Sequence, residues 1–218
     1  MPERKEKYDC STTAVMPAYN EARRIEKTVR RTRDYVDRVL VIDDASTDET
    51  AREARKAGAD VLKQSSNSGY IAAIKRGFSE ADTDIVVTVD ADGELPVERV
   101  PNLVQPVCTG EADMVQGHRD HIVRPSEKLL TWLASFGGPV GDSGTGLRAL
   151  RTNLAQTLDL HGACICGIFS LEVLRRGGKI EEVPIRLREV EKPRGGAWQH
   201  FAQVFYVGAA LFRSWVSS

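Results

Sequence analysis

The sequence predicts an α/β fold in which a mostly parallel sheet is flanked by helices. Three observations predict it. Short β-branched runs have the composition of strands buried on both faces, longer stretches with helical spacing lie between them, and a polar, mostly acidic cluster follows three of the runs. Strands that alternate with helices form a parallel sheet covered on both sides, and ligands bind such a sheet at the carboxyl ends of its strands.

The elements follow in order. A first strand is read at Thr13 to Met16, and a helix carries Ile25, Val29, Thr32 and Val36 on one face. A second strand runs from Val39 to Ile42, and S-T-D-E-T after it supplies capping oxygens and early acids for a helix beginning near Asp48. A third helix follows Gly69, a strand spans Ile85 to Val89, and Pro96 opens a fourth helix, where proline is tolerated in the first turn. Beyond Gly110 the pattern weakens. It gives a strand at Met114 to Gly117, a loop or helix over Pro125 to Phe136, and the glycine-rich G-D-S-G-T-G of Gly141 to Gly146. A helix near Ser170 to Arg176, a strand near Lys179 to Leu187 and a final aromatic helix complete the chain. No repeat, low-complexity tract or linker divides the 218 residues, so one domain is expected.

Composition narrows the function classes. A hydrophobic fraction of 41% with 28% charged residues is that of a soluble globular protein, and a formal net charge of −1 speaks against a dedicated nucleic-acid binder. The four cysteines, Cys10, Cys108, Cys164 and Cys166, lack paired C-x-x-C spacing and read as reduced thiols, with Cys164 and Cys166 open to packing or to a metal. The polar amino terminus has no signal-peptide pattern, and no run reaches the roughly 20 apolar residues of a membrane span. A cytoplasmic protein is expected, peripheral on a membrane if its tail binds one.

The chemistry is expected at the strand ends: P-A-Y-N-E (Pro17 to Glu21), D-D-A-S-T-D (Asp43 to Asp48) and D-A-D-G-E (Asp90 to Glu94). On an extended backbone Asp90, Asp92 and Glu94 point the same way, and three neighbouring carboxylates repel one another unless a cation sits among them. Oxygen-only ligands favour Mg²⁺ or Mn²⁺, which would grip a diphosphate. The other reading of such a string is a solvated turn.

The succession V-M-P-A-Y-N-E, V-L-V-I-D-D-A-S-T-D-E-T, N-S-G-Y-I-A-A-I-K-R-G and D-I-V-V-T-V-D-A-D-G-E resembles the family 2 glycosyltransferases of the Rossmann-like GT-A fold. Within them it is most similar to the dolichyl-phosphate mannose synthase and polyprenyl-phosphate glycosyltransferase branch. The resemblance implies an inverting transfer of a hexose from a UDP- or GDP-sugar, with Mg²⁺ or Mn²⁺, to an acceptor such as polyprenyl or dolichyl phosphate. A soluble or protein-bound acceptor, or a non-catalytic nucleotide-sugar-binding protein, are the alternatives. Residues 11–119 would form the nucleotide-sugar half, and residues 120–218 the acceptor half with the last helix.

Carried over residue by residue, the resemblance implies that Pro17, Tyr19 and Glu21 hold the nucleotide, with Ile42 and Asp44 lining its base and ribose pocket; a plain strand-ending turn is the other reading of Pro17 and Tyr19, and core packing that of Ile42. Ala91 touches the donor, Asp92 and Glu94 ligate the metal, and Asp90 supports them. Arg119 in Q-G-H-R corresponds to an arginine that pairs with donor phosphate. The string D-S-G-T-G-L-R-A resembles the acceptor-facing D-x-x-S-G-F-R-A and makes Asp142 the candidate for orienting or deprotonating the acceptor, unless it only positions a loop. Tyr70 stands where many relatives have lysine, and Trp198 where the lipid-phosphate branch has another. Lys192 and Arg194 are the candidates to replace that charge. Arg186 to Ser218 carries five Lys/Arg against two acids together with Trp198, Phe201, Phe205, Tyr206, Phe212 and Trp215, a composition that suits a membrane interface, a packed helix or a dimer contact.

Overall fold

The computed structural model describes residues 9–120, 125–162, 164–190, 203–209 and 211. Seven strands, β1 (Thr12–Ala18), β2 (Arg38–Asp43), β3 (Asp60–Lys63), β4 (Ile85–Thr88), β5 (Met114–Arg119), β6 (Arg148–Arg151) and β7 (Ile180–Ile185), form one sheet in the order β3-β2-β1-β4-β6-β5-β7. All neighbours pair in parallel except β6, which runs antiparallel to both β4 and β5. The helices are α1 (Ile25–Thr32), α2 (Thr50–Lys56), α3 (Tyr70–Ser79), α4 (Val100–Thr109), α5 (Pro125–Ala134), α6 (Thr152–Thr157) and α7 (Ile168–Arg175), and residues 203–209 are also helical. The expected α/β architecture is therefore present.

Alternation along β1 divides the core into two layers. Ala14, Met16 and Ala18 pack beneath the apolar faces of α1, α2 and α4, while Val15 points the other way with Leu40 and Ile42 toward α3, α6 and α7. A third, smaller cluster joins Leu130 of α5, Ile168 and Leu171 of α7, and Val207 of the last helical segment. Burial of both sheet faces explains why the strands read as unbroken apolar runs.

Sequence and structure part in six places. The short edge strand β3, the strand β6 and the six-residue α6 were not anticipated, and Val36 is buried just past the end of α1 instead of on it. Pro96 precedes a short 3₁₀ turn (Val97–Arg99) that leads into α4. The expectation of four reduced thiols is corrected by a disulfide between Cys10 and Cys108, whose Cα atoms lie 5.9 Å apart although 98 residues separate them. The two meet because Cys10 leads into β1 at the floor of the layer that α4 covers. Cys164 and Cys166 remain thiols. With one pair bonded, the cysteines no longer speak for a reducing compartment. Among the described residues no helix is long and apolar enough to cross a membrane.

Candidate active site

The strand order changes direction at β1, which lies between β2 and β4, and the chain leaves each of these three strands at the same rim of the sheet. A cleft of about 330 Å³ opens there, lined by Pro17, Tyr19, Glu21, Asp44, Asp90 and Asp92 together with Ala18, Tyr70, Ala73 and Ala91. Three clusters far apart in sequence thus share one wall.

Local bonding makes this rim rigid. Val15 accepts from Val89 N on the β4 side and Ala18 accepts from Asp44 N on the β2 side, so by alternation Pro17 faces β4 beyond its last register partner, Thr88. A proline costs no ladder bond at that point. The loops after β1 and β2 are laced together: Asn20 N donates to Ser46 Oγ at 2.9 Å, Thr47 N to Asn20 Oδ1 at 2.9 Å, and Glu21 N to Thr50 Oγ1 at 2.8 Å. Asn20 and Ala45 both take positive φ, 56° and 59°, to make these turns. Tyr19 stands open at the mouth, half exposed, free to lie against a ring.

Asp44 faces the same cleft, but its oxygens are already engaged: Gln64 Nε2 and Ser68 N donate to Oδ1 at 2.6 and 2.8 Å, and Gly69 N to Oδ2 at 2.8 Å. It shapes the pocket by holding the loop that starts α3. Ala91 is fixed from the other side, where Thr28 Oγ1 of α1 donates to its carbonyl at 3.1 Å. The side chain of Ile42 is fully buried in the second core layer, so it does not line the cleft, and its expected role in the nucleotide pocket is corrected to core packing.

The three acids after β4 do not sit on an extended strand. The strand ends at Thr88, residues 91–93 turn, and Gly93 takes a φ of 79°, so the alternation that would have aligned Asp90, Asp92 and Glu94 is lost. Asp92 Oδ1 accepts from Glu94 N at 3.0 Å, and Asp90 Oδ1 accepts from the Tyr70 hydroxyl at 2.8 Å. Burial, then the Asp90 charge, raises the Tyr70 pKa well above its usual range, which keeps the phenol a donor. Among the described residues no three His, Cys, Asp or Glu side chains are grouped closely enough to hold a metal by themselves. Asp90 and Asp92 nonetheless offer hard oxygen donors on one wall, and a pair of carboxylates suits Mg²⁺ or Mn²⁺ when diphosphate oxygens complete the shell.

Arg24 is a neighbour that sequence reasoning missed. Its Nε donates to Glu21 Oε2 at 2.7 Å, and that bond, with the nearby charges of Glu21, Asp92 and Glu94, raises its pKa. The spacing of three between Glu21 and Arg24 on a helical turn was the available signal. The chain leaving β7 also returns here, Arg188 N donating to Glu94 O at 2.8 Å. Arg194, Lys192 and Trp198 follow, outside the described residues.

A second cleft, of about 410 Å³, lies on the other side of β6 and is lined by His118, Arg119, Asp120, Lys128, Trp132 and Gly141 among others. Arg119 does not extend from it toward the donor cleft. Its Nε and Nη2 hold the two oxygens of Asp142 at 2.7 and 2.8 Å, and Nη2 also reaches Glu127 at 2.8 Å. In this arrangement the guanidinium expected to meet donor phosphate is paired with resident carboxylates. Asp142 is fully buried, with further donors in Arg119 N and Gly144 N. Burial alone would raise its pKa, but the hydrogen bonds and charge of Arg119 outweigh it and hold the carboxylate below its usual range. A buried, four-fold bonded carboxylate of lowered basicity holds its loop in place and is a weak proton acceptor.

Between the clefts lies Arg148 of β6, fully buried, with Nη2 donating to Ser143 O at 2.9 Å and the guanidinium 4.7 Å from the Phe169 ring centre. Among the described residues its Nε and Nη1 have no hydrogen-bond partner. The arginine was visible in D-S-G-T-G-L-R-A, but nothing in the pattern marked it as interior.

The comparisons with known proteins agree with this geometry. The undecaprenyl-phosphate mannosyltransferase of Micrococcus luteus is 33% identical, over 81% of this chain and 83% of its own length. An undecaprenyl-phosphate 4-deoxy-4-formamido-L-arabinose transferase of Klebsiella pneumoniae is 33% identical over 67% of this chain, which spans half the length of that relative. Among solved structures, the glucosyl-3-phosphoglycerate synthase of Mycobacterium tuberculosis superposes with a TM-score of 0.76 at 26% identity, covering 94% of this chain and 81% of the other. The same enzyme in complex with Mn²⁺, UDP-glucose and glycerol 3-phosphate gives 0.75 at 25% identity, covering 94% of this chain and 80% of the other. The profile of Glycosyl transferase family 2 matches residues 13–176, a span that holds both clefts' framework from β1 through α7, and the chain belongs to that family.

Proposed function

We propose that this glycosyltransferase moves a hexose from a UDP- or GDP-sugar to a polyprenyl phosphate, with inversion at the anomeric carbon. The observation that carries the reading is the rim cleft itself, where Tyr19 and the Asp44-anchored loop stand opposite Asp90 and Asp92. The first pair would seat the base and ribose, and the carboxylates would hold Mg²⁺ or Mn²⁺ against the donor diphosphate. When bound, such an ion neutralises charge on the departing nucleoside diphosphate. The chain's own contribution is alignment: Ala91 is fixed by Thr28, and the wall opposite is fixed by Asp44.

The acceptor side supports a lipid phosphate. A phosphate is already anionic and needs no base, which fits the burial of Asp142. The second cleft carries Lys128 and His118 beside Trp132, whose ring meets that of Phe136 edge-on, and both rings are open to solvent: Trp132 is 57% exposed and Phe136 64%. An aromatic face beside the Lys128 ammonium matches a headgroup at a membrane interface. The mannosyltransferase and arabinose transferase relatives act, by their names, on undecaprenyl phosphate. A second reading, a small soluble phosphorylated acceptor, is favoured by the superposition on a synthase solved with phosphoglyceric acid.

A thermal-shift panel of UDP- and GDP-sugars with and without Mn²⁺ tests the donor, and flotation with anionic liposomes tests the acceptor side. Metal-dependent stabilisation by one nucleotide class and co-flotation are expected. Stabilisation without co-flotation transfers the assignment to the soluble acceptor, and no stabilisation by any donor overturns the reading.

A further inference from the structure

Asp44, Tyr70, Asp90 and Gly146 form a continuous line across the rim. Asp44 holds Ser68 N and Gly69 N, which fixes the start of α3, and Gly69 at φ 87° turns the chain so that Tyr70 begins that helix. The Tyr70 hydroxyl then donates to Asp90 Oδ1 at 2.8 Å. On the opposite side Gly146 is packed so closely that a Cβ there would lie 2.1 Å from Asp90 Oδ2, and Thr88 Oγ1 pins the Gly146 carbonyl at 2.7 Å. Asp90 is confined from both sides.

We propose that Tyr70 is a positioning residue which, with Gly146 as the opposing stop, holds Asp90 in the one orientation that the metal and diphosphate require. The inference rests on the donor-cleft reading above. A carboxylate on a broad terminal torsion otherwise samples several orientations, and a metal that dehydrates reluctantly and demands fixed geometry selects few of them. The line also joins the two halves of the site. Gly146 ends the loop that Asp142 and Arg148 anchor, so the orientation of Asp90 is set jointly by the donor-side helix α3 and the acceptor-side loop. A lysine at position 70 would bring a charge to this place; the phenol brings direction without one.

The test reads the Mn²⁺ concentration that half-saturates the chain in excess UDP, and separately in excess GDP, from loss of the free-ion EPR signal. Tyr70→Phe is expected to raise it on the order of tenfold, the loss of one hydrogen bond to a charged group, while nucleotide binding in EDTA stays unchanged. Gly146→Ala, which pushes Asp90 from the other side, is expected to raise it as well. An unchanged half-saturation in Tyr70→Phe overturns the proposal, as does an equal loss of nucleotide binding with and without the metal. A wild-type chain that takes up neither Mn²⁺ nor nucleotide overturns the donor-cleft reading instead, which is a distinct result.

Discussion

The two sides of the sheet use charge in opposite ways. At the rim of β1, β2 and β4, Asp90 and Asp92 face an open cleft. Around β5, β6 and β7, the charged groups largely neutralise one another: Arg119 with Asp142 and Glu127, and Arg175 and Arg176 with the buried Glu172, while the His118 ring hydrogen-bonds Glu182. The same residue types act as ligand-facing groups in the first region and as framework in the second. What separates them is access to water, which leaves one set of carboxylates able to take up a cation and ties the other to resident arginines.

The sharpest way to break this comparison is Arg119→Ala. Removing one member of a buried pair leaves Asp142 charged and uncompensated, so a loss of about 3–5 kcal/mol in urea unfolding is expected, with donor affinity nearly unchanged in whatever fraction stays folded. A variant of wild-type stability with weakened donor binding would place Arg119 among the ligand-facing groups after all. Asp92→Ala is the converse. It is expected to lower sugar transfer on the order of a hundredfold or more while truncating a half-buried loop side chain outside the core, so the melting temperature changes little. Strong unfolding with retained turnover would reverse the assignment.

A smaller effect is expected with acid. Burial pushes Asp142 and Glu182 upward, but Arg119 in one case and His118 with Gln116 in the other bring both below the ordinary carboxylate range. A lowered folded pKa contributes stability above the unfolded value, lost as pH falls through the folded one, so loosening should begin below about pH 4. Hydrogen exchange followed from pH 5 to pH 2 (roughly the span over which such carboxylates protonate) should show residues 141–146 losing protection before β1 does. Simultaneous loss in both would mean that the buried pairs do not set the acid limit.

Much of the first region was legible in the sequence, and the reasons are local. Runs such as V-L-V-I and I-V-V-T announce buried strands, and the polar strings after them fall at the carboxyl ends where the sheet places its ligands. Where that reading failed, it extended a local rule past its range. The alternation of β4 was carried through Gly93, where the backbone turns. β6 was missed because R-A-L-R has an arginine at each end, and the partners that receive Arg148 inside, the Phe169 ring and the Ser143 carbonyl, are reached through the tertiary fold. The pairing of Cys10 with Cys108 was beyond spacing arguments altogether, since it depends on α4 lying over the start of β1. Ile42 shows the limit within a strand: a position next to a site can belong wholly to the core.

The reversed direction of β6 restricts what insertions the loop 141–146 can tolerate. Arg148 and Leu150 lie on the layer with Phe169, and Leu147 and Ala149 on the layer with Val87 and Val104. A single added residue that shifted the strand by one position would exchange these faces and drive a guanidinium among the valines. The number of residues between Gly141 and Arg148 is thus as constrained as their identity, and change in this enzyme is easier to accommodate by substitution here than by altering length.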